Sequence, residues 1–231
     1  MKKYFKQLMS TGFVSVGLVA TANAALIPIL SGQAVYDDDR NISWIADAAL
    51  SATHTFGVTG IQANGKMTYF KANDWIAAMN TAMHLGFGDW RLTVAAPGDT
   101  TCTLSLAGKS TGQGCAGSEM GHLYHDEFNI TSVAEANTPG TSVATGTPSE
   151  LAKFSNIMSD QYWSGQATTS GGSIAFNFDD GRQINSNKGQ NKFVWAVREG
   201  GSPIPIPAAV WLFGSGFLAM VGVGRKKIAQ S

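Results

Sequence analysis

The central part of this chain predicts a mixed α+β fold, because segments with strand periodicity and a segment with helical periodicity alternate along it. An apolar stretch, a polar turn and an alternating stretch predict a β-hairpin over residues 34–45. Apolar residues recur at helical spacing from Thr68 to Met83, and Thr68 is suited to cap that helix. Later stretches at 173–178 and 193–198 predict further strands.

The turn of the first hairpin contains three consecutive acidic residues, Asp37, Asp38 and Asp39. Calcium-binding loops use closely spaced Asp oxygens, so a calcium site is one interpretation. The sequence lacks an Asp-x-Asp-x-Asp-Gly loop with a distal Glu, which such sites contain. We therefore expect these three carboxylates to form a solvated turn.

The N-terminal segment has the features of a secretory signal peptide. Lys2, Lys3 and Lys6 form a basic region, and an apolar stretch too short to span a bilayer follows. An Ala-x-Ala site then places the expected cleavage between Ala24 and Ala25. Residues 1–24 are therefore excluded from the fold, and the mature chain is predicted to be exported across the inner membrane.

The C-terminal segment combines three elements in a row. The first is an alternating proline stretch, which is extended and cannot join a helix. The second is the uncharged run Ala208–Gly224, which would be about 26 Å long as a helix and could just span a bilayer. The third is a cluster of basic residues, which is expected to stay on the cytoplasmic side of the membrane. A buried core helix is the alternative. The prolines are Pro203, Pro205 and Pro207, and the basic residues are Arg225, Lys226 and Lys227.

This tail, Pro-Ile-Pro-Ile-Pro-Ala-Ala-Val-Trp-Leu-Phe-Gly-Ser-Gly with its apolar run and Arg-Lys-Lys end, resembles the VPLPA variant of the PEP-CTERM sorting signal. The resemblance implies a bacterial envelope protein whose tail is recognised by an exosortase-type membrane protease. It also implies a transient inner-membrane anchor before delivery to the envelope, cell surface or extracellular matrix. The expected organisation is a domain at 25–199, a linker and sorting motif at 200–207, and a transmembrane helix with its basic end at 208–231.

The basic residues of the N-terminal and C-terminal segments mask the net negative charge of the predicted mature domain. The whole chain has 16 basic and 16 acidic residues. Three basic residues lie in each end segment and no acid lies there, which leaves 10 basic against 16 acidic residues and a formal net charge of −6. An acidic domain binds polyanions poorly, so nucleic acid is not an expected partner. About 180 residues suit one domain.

The two cysteines, Cys102 and Cys115, both lie in the exported part. An oxidising compartment and an even count favour one disulfide between them. A pair of redox-active thiols is the alternative, but the spacing is not that of a Cys-x-x-Cys motif.

Residues 118–128 hold the most chemically suggestive cluster in the sequence. Glu119, His122 and His125 would share one side of a helix, which raises the hypothesis of a metal-dependent enzyme. The segment lacks a His-Glu-x-x-His motif, and no distant ligand obviously completes the set. We therefore expect an amphipathic helix with a solvated acidic side, no metal, no cofactor and no catalytic residue.

Short motifs follow one another in a characteristic order from about Val35 to Arg198. They include Gly88-Asp89-Trp90-Arg91-Leu92, Tyr162-Trp163-Ser164-Gly165 and Trp195-Ala196-Val197-Arg198. They resemble the Lcl C-terminal domain family, a domain of unknown function, although Thr93 stands where that family usually has Pro. The resemblance implies a C-type-lectin-like and formylglycine-generating-like α+β fold, with two main helices and small twisted antiparallel sheets. The motif residues, expected to be structural, are Trp90, Arg91, Leu92, Glu119, Trp163, Ser164, Gly165, Gly181, Trp195 and Arg198.

The sequence leads us to expect a non-catalytic surface or matrix protein that works by binding. The lectin-like resemblance makes carbohydrate or exopolysaccharide the expected ligand class, or a role in adhesion. The net charge of −6 argues against sulfated glycans, which need clustered Arg and Lys. A structural biofilm component without a ligand is the alternative. We expect Arg91 and Arg198 to pair with Asp or Glu, and the tryptophans to stabilise the core.

Overall fold

The computed structural model describes residues 26–106, 109–130, 146–168 and 170–201. Its largest sheet has five strands in the order β1-β2-β3-β11-β4, and all neighbours are antiparallel. The strands are β1 (Leu26–Ile29), β2 (Ala34–Asp37), β3 (Ile42–Ile45), β4 (Arg91–Leu92) and β11 (Ala196–Glu199). The predicted first hairpin is confirmed as β2 and β3, because Val35 pairs with Trp44 in register.

The second sheet has four strands in the order β10-β7-β8-β9, and a small separate hairpin is bonded to β9 through Gly112 and Gln183. The strands of the second sheet are β7 (Gln161–Ala167), β8 (Ser173–Asn177), β9 (Arg182–Ser186) and β10 (Phe193–Val194). The hairpin consists of β5 (Leu104–Leu106) and β6 (Lys109–Thr111). Strand β10 pairs with β7 in parallel, while the remaining pairs are antiparallel.

The helices of the described residues are one of ordinary length and several short turns. Helix α1 (Tyr69–Thr81) begins as predicted, because the Thr68 hydroxyl accepts a hydrogen bond from the Lys71 amide. Helix α2 (Glu119–His122) has only four residues and continues into a π-helical turn, Leu123–Glu127. A third short helix, α3, spans Pro148–Leu151. Of the two main helices expected, the described residues contain only one of ordinary length, α1.

The core between the two main sheets is built largely from aromatic rings. Trp44 and Trp195 pack edge to face with ring centroids 5.2 Å apart. Phe178 lies 5.6 Å from Trp195 and 5.2 Å from Tyr162. Because all of these side chains are buried, the two sheets share one hydrophobic core.

The predicted last strand, 193–198, is wrong as a single element. Its two halves are β10 and β11, which belong to different sheets. Trp195 lies between them with its side chain buried, and its indole nitrogen donates to the Ile45 carbonyl at 2.7 Å. The chain therefore passes from one sheet to the other at Trp195.

The turn at Asp37 also differs from the expectation. Asp37 is fully buried, whereas Asp38 and Asp39 are exposed. The prediction of a solvated turn is therefore wrong for Asp37. The Asp37 carboxylate accepts a hydrogen bond from the Arg40 amide at 3.0 Å, which closes the turn from inside.

The architecture is α+β with sheets predominating, as the sequence predicts. No helix in the described ranges is long and apolar enough to cross a membrane. The signal peptide, its cleavage site at Ala24 and Ala25, the sorting motif and the predicted helix at 208–224 all lie outside the described residues.

Candidate functional site

Three titratable side chains meet in the interior beside the π-helical turn. Asp37 ends β2, His122 ends α2, and Glu127 ends the π-helical turn. The Nε2 atom of His122 lies 3.3 Å from Glu127 Oε1 and 4.0 Å from Asp37 Oδ1. The three residues are 6 %, 8 % and 0 % exposed, in the order His122, Glu127, Asp37. An imidazole and two carboxylates are therefore buried side by side.

Neighbouring groups hold these side chains in place. The Nδ1 atom of His122 is 2.8 Å from Asp126 Oδ2, and this carboxylate is about half exposed. Asp37 Oδ1 accepts from the Arg40 amide, and Asp37 Oδ2 accepts from the Trp44 indole at 3.4 Å. The ring and one carboxylate are thus oriented by partners that leave His122 Nε2 aimed into the cluster.

The electrostatics of the cluster favour positive charge at its centre. Burial lowers the pKa of His122, but Glu127, Asp37 and Asp126 outweigh that effect and raise the pKa above its ordinary value, against an opposing contribution from Arg40. Burial raises the pKa of Asp37, because no bulk water solvates its carboxylate. Two buried carboxylates this close together require a cation or protons to be stable.

The metal-ligand set considered from the sequence is not brought together. Glu119 accepts hydrogen bonds from Arg91 instead of facing His122. His125 faces two backbone carbonyls instead. Its Nδ1 lies 3.0 Å from the Ile130 carbonyl oxygen, and its Nε2 lies 3.2 Å from the Gly181 carbonyl oxygen. Of the set Glu119, His122 and His125, only His122 lies in the buried cluster.

The expected solvated acidic side of residues 118–128 is also wrong in part. Asp126 is exposed, as predicted, but Glu127 is buried. The π-helical turn shifts the side-chain directions relative to a regular α-helix, which sequence spacing alone does not reveal. Glu127 follows Leu123 by four positions, so it lies on the face that carries the apolar side chains. This spacing is a partial signal for the burial of Glu127, although it does not reveal the π-helical turn.

The motif tryptophans have structural positions. Trp90, Trp163 and Trp195 are at most 2 % exposed. Each indole donates to a backbone carbonyl, at 3.0, 2.9 and 2.7 Å respectively. Their polar atoms are therefore satisfied inside the core, as buried indoles require.

The smaller motif residues hold backbone segments together. Leu92 pairs with Ala196 in the five-stranded sheet. The Ser164 hydroxyl donates to a carbonyl on β8 at 3.0 Å, and the Gly165 amide donates to the Thr93 carbonyl at 2.8 Å. Gly181, whose φ is +70°, lies against the aromatic rings beside the π-helical turn.

Arg198 pairs with an acidic side chain, as expected. Its guanidinium donates to both oxygens of Asp89, at 2.8 and 3.1 Å, and lies 3.9 Å from the centre of the Phe87 ring. The hydrogen bonds to Arg198 hold the pKa of the Asp89 carboxyl below its usual value. This pair links the segment just before β4 to strand β11.

The two cysteines form a disulfide, with Cα atoms 4.2 Å apart. The Cys115 carbonyl accepts a hydrogen bond from the Ser118 hydroxyl at 2.9 Å. Ser118 in turn caps α2 by accepting from the Gly121 amide. Asp99 lies near both sulfurs, but disulfide sulfur is not a thiolate metal ligand. The disulfide therefore secures the start of the segment that carries His122.

An open cleft of about 420 Å³ is lined mainly by the segments that follow β3 and precede β7. Asp47 follows β3 on one side, and Asp160 precedes β7 on the other. Asn156 donates from its amide nitrogen to Asp47 at 2.9 Å across the cleft wall. The lining residues are Asp47, Ala49, Ala52, Thr53, Asn64, Lys66, Asn156, Met158, Asp160 and Phe193. The sequence analysis did not identify this cleft, because its residues come from four distant segments.

No protein-family model, no curated protein and no solved structure matches this chain.

Proposed function

We propose that this chain is an exported, non-catalytic binding protein of the bacterial envelope whose ligand is a neutral or weakly charged carbohydrate. The observation that carries the proposal is the open cleft in which Asp47, Asn156 and Asp160 stand among apolar side chains. The signal peptide and sorting tail expected from the sequence provide the route to the envelope, with an exosortase-type protease as the processing partner. The disulfide accords with an oxidising compartment outside the cytoplasm.

The chemistry of the cleft suits sugar hydroxyl groups. A hydroxyl both donates and accepts hydrogen bonds, and the amides of Asn64 and Asn156 offer both functions. The carboxylates of Asp47 and Asp160 are strong acceptors. Met158 adds an apolar surface, which suits the C–H faces of a sugar ring. A lining that mixes polar and apolar groups suits a polyhydroxylated ligand better than a purely apolar ligand.

The charges around the cleft favour neutral ligands over sulfated ones. The one lysine in its lining, Lys66, already forms an ion pair with Asp160. A sulfate group would have to compete with that carboxylate, and it would also meet Asp47. We therefore expect neutral or weakly acidic exopolysaccharide units to bind in preference to sulfated glycans.

A blocking substitution tests this proposal. Ala52 is exposed and lines the cleft, so Ala52→Trp should fill it without removing a hydrogen bond made by a side chain. Ala77 is exposed on α1, away from the cleft lining, and Ala77→Trp is the matched control. A glycan array followed by titration should give binding that Ala52→Trp weakens at least about tenfold, or 1.4 kcal/mol. Ala77→Trp should leave the affinity unchanged.

Two results would contradict the proposal. The first is the absence of binding to every neutral and acidic glycan tested, which would favour a structural matrix component. The second is an affinity that Ala52→Trp and Ala77→Trp leave equally intact, which would place the ligand elsewhere on the protein.

A further inference from the structure

The interior beside the π-helical turn contains an arrangement that hydrogen bonding does not satisfy. Within the described part of the chain, His122 Nε2 and Glu127 Oε1 are buried 3.3 Å apart, yet neither makes a hydrogen bond of good geometry. A buried polar atom without a partner costs about 1–3 kcal/mol, and more when it is charged. Asp37 adjoins both side chains, and its Oδ1 lies 4.0 Å from His122 Nε2. Each of Asp37, His122 and Glu127 offers one potential ligand atom, and the three atoms lie within 4.8 Å of one another.

The tautomer of His122 follows from its other nitrogen. Nδ1 lies 2.8 Å from a carboxylate oxygen of Asp126, so Nδ1 carries the hydrogen and donates it. In the neutral ring, Nε2 then directs a lone pair at the oxygens of Glu127 and Asp37. Lone pairs facing one another are repulsive unless a cation lies between them. A carboxylate–imidazole pair with the far nitrogen free is the usual arrangement behind a metal-bound histidine.

We propose that Asp37, His122 and Glu127 bind one divalent transition-metal ion of the zinc class, with Asp126 orienting the imidazole. The ligand atoms are Asp37 Oδ1, His122 Nε2 and Glu127 Oε1. This site is independent of the carbohydrate cleft and of the function proposed for it.

The spacing of the ligand atoms suits such an ion. A tetrahedral ion with ligands at about 2.1 Å needs ligand atoms about 3.4 Å apart. The separations of 3.3 Å from His122 to Glu127 and 4.0 Å from His122 to Asp37 lie close to this value. The two carboxylates also offer oxygens within 4.8 Å of each other, so all three ligands lie near one possible ion position. The fourth position would belong to a water molecule.

The choice of metal follows from the donors and the charge. Imidazole is a ligand for zinc, copper, iron and nickel, whereas calcium and magnesium prefer oxygen ligands alone. Asp37, Glu127 and Asp126 supply three negative charges, and Arg40 supplies one positive charge nearby. A divalent ion beside a neutral His122 would balance that surplus. A proton on Nε2 could donate a hydrogen bond to only one of the two carboxylates, Asp37 or Glu127.

The experiment measures metal in the full chain, expressed with its own leader and purified in detergent without chelator. We expect about one equivalent of transition metal per chain by mass spectrometry. After chelation, titration with zinc should restore one equivalent and raise the melting temperature. Calcium at the same concentration should do neither.

Variants assign the bound metal to this site. His122→Gln and Glu127→Gln should weaken zinc binding at least about 100-fold, and Asp126→Asn about 10- to 100-fold. His125→Gln is the matched control, because His125 lies three residues away but contacts backbone carbonyls. It should keep the affinity of the wild-type chain. Asp126 is exposed, so Asp126→Asn gives a result even where substitutions of the buried ligands prevent folding.

Surface histidines provide the competing explanation. The rings of His54 and His84 lie 6.2 Å apart and could hold adventitious zinc. A chain with both residues changed to Gln should still bind one equivalent. The proposal is overturned if that variant loses the metal, if Asp126→Asn and Glu127→Gln both bind as tightly as wild type, or if the wild-type chain binds no zinc.

Discussion

The guanidinium of Arg91 donates two parallel hydrogen bonds to the carboxylate of Glu119, at 2.9 and 2.8 Å. The same carboxylate accepts from the Val94 amide at 2.6 Å, and Arg91 also contacts Glu199. Arg91 lies on β4, Glu119 begins α2, and Glu199 ends β11. The ion pair therefore attaches the segment that carries His122 to the edge of the five-stranded sheet.

We predict that Glu119→Gln lowers the free energy of unfolding by about 2 kcal/mol, since charge-assisted hydrogen bonds contribute about 1.5–3 kcal/mol each. The Glu119 side chain is only 12 % exposed, so water cannot replace the lost interaction fully. Urea denaturation of the variant measures the change. Asp74→Asn is the control, because its ion pair with Lys71 is exposed and should contribute below about 0.5 kcal/mol. Equal effects of the two substitutions would disprove this account of Glu119.

A second prediction concerns the close approach of Gly181 to the π-helical turn. Gly181 has a φ of +70°, and a Cβ there would lie 2.6 Å from Tyr124 Cε1 and 2.9 Å from His125 Cε1. Gly171 has a φ of +82° with no atom within 4 Å of its Cβ position. Both substitutions to Ala carry the left-handed backbone penalty of about 1–2 kcal/mol, but only Gly181→Ala also clashes.

We expect Gly181→Ala to destabilise the chain by at least about 1 kcal/mol more than Gly171→Ala, given the typical cost of overpacking. Thermal denaturation of both variants provides the comparison. A smaller effect at Gly181 than at Gly171 would show that Tyr124 and His125 can move away without cost.

Local patterns in the sequence were enough to predict the elements whose contacts are close in the chain. The hairpin of β2 and β3 needs only a polar turn between two matching stretches. Helix α1 has its cap and its apolar stripe within one segment, and Trp75 and Met79 are buried as that stripe requires. The disulfide followed from the even cysteine count.

The buried cluster and the cleft depend on contacts that local patterns do not contain. Asp37 and His122 are 85 positions apart, and Glu127 is brought to them by a π-helical turn. The split at Trp195 arises because its two flanking strands join different sheets. An apolar run such as 193–197 predicts strand conformation but does not indicate which sheet each half will join.

The ion pair between Asp89 and Arg198 gives a pH-dependent prediction. Hydrogen bonding to Arg198 holds the pKa of Asp89 in the folded state below its ordinary value. The stabilisation is therefore present above the unfolded-state pKa of about 4 and is lost as the pH falls through the lower folded-state value. Because Asp89 is more than half exposed, we expect the contribution to stay below about 1 kcal/mol and to weaken in salt.

Urea denaturation of the wild-type chain and Asp89→Asn should thus differ at pH 6 and converge towards pH 3. The difference at pH 6 should shrink in 1 M NaCl, a concentration at which the screening length is about 3 Å. A gap between the two proteins that grows as the pH falls would have the wrong sign and would refute the assignment.

The end of the described chain bears on the sorting prediction. The Gly200 amide donates to the Asn41 carbonyl at 2.7 Å, and the Gly200 carbonyl accepts from the Ser43 hydroxyl at 2.6 Å. The last strand is therefore held in the sheet up to Gly200. Cleavage near Pro207 would leave every described contact intact, so the released domain should remain folded.

We predict that envelope material from a host with an active exosortase contains a form lacking the residues beyond about Pro207. This prediction rests on the sequence alone, since alternating prolines disfavour a helix and a protease cleaves extended backbone. Intact-mass spectrometry measures the processed form, and a chain with Pro203, Pro205 and Pro207 changed to Ala should remain full length as the control. Recovery of the wild-type chain with Arg225–Ser231 still attached would instead indicate a permanent membrane anchor.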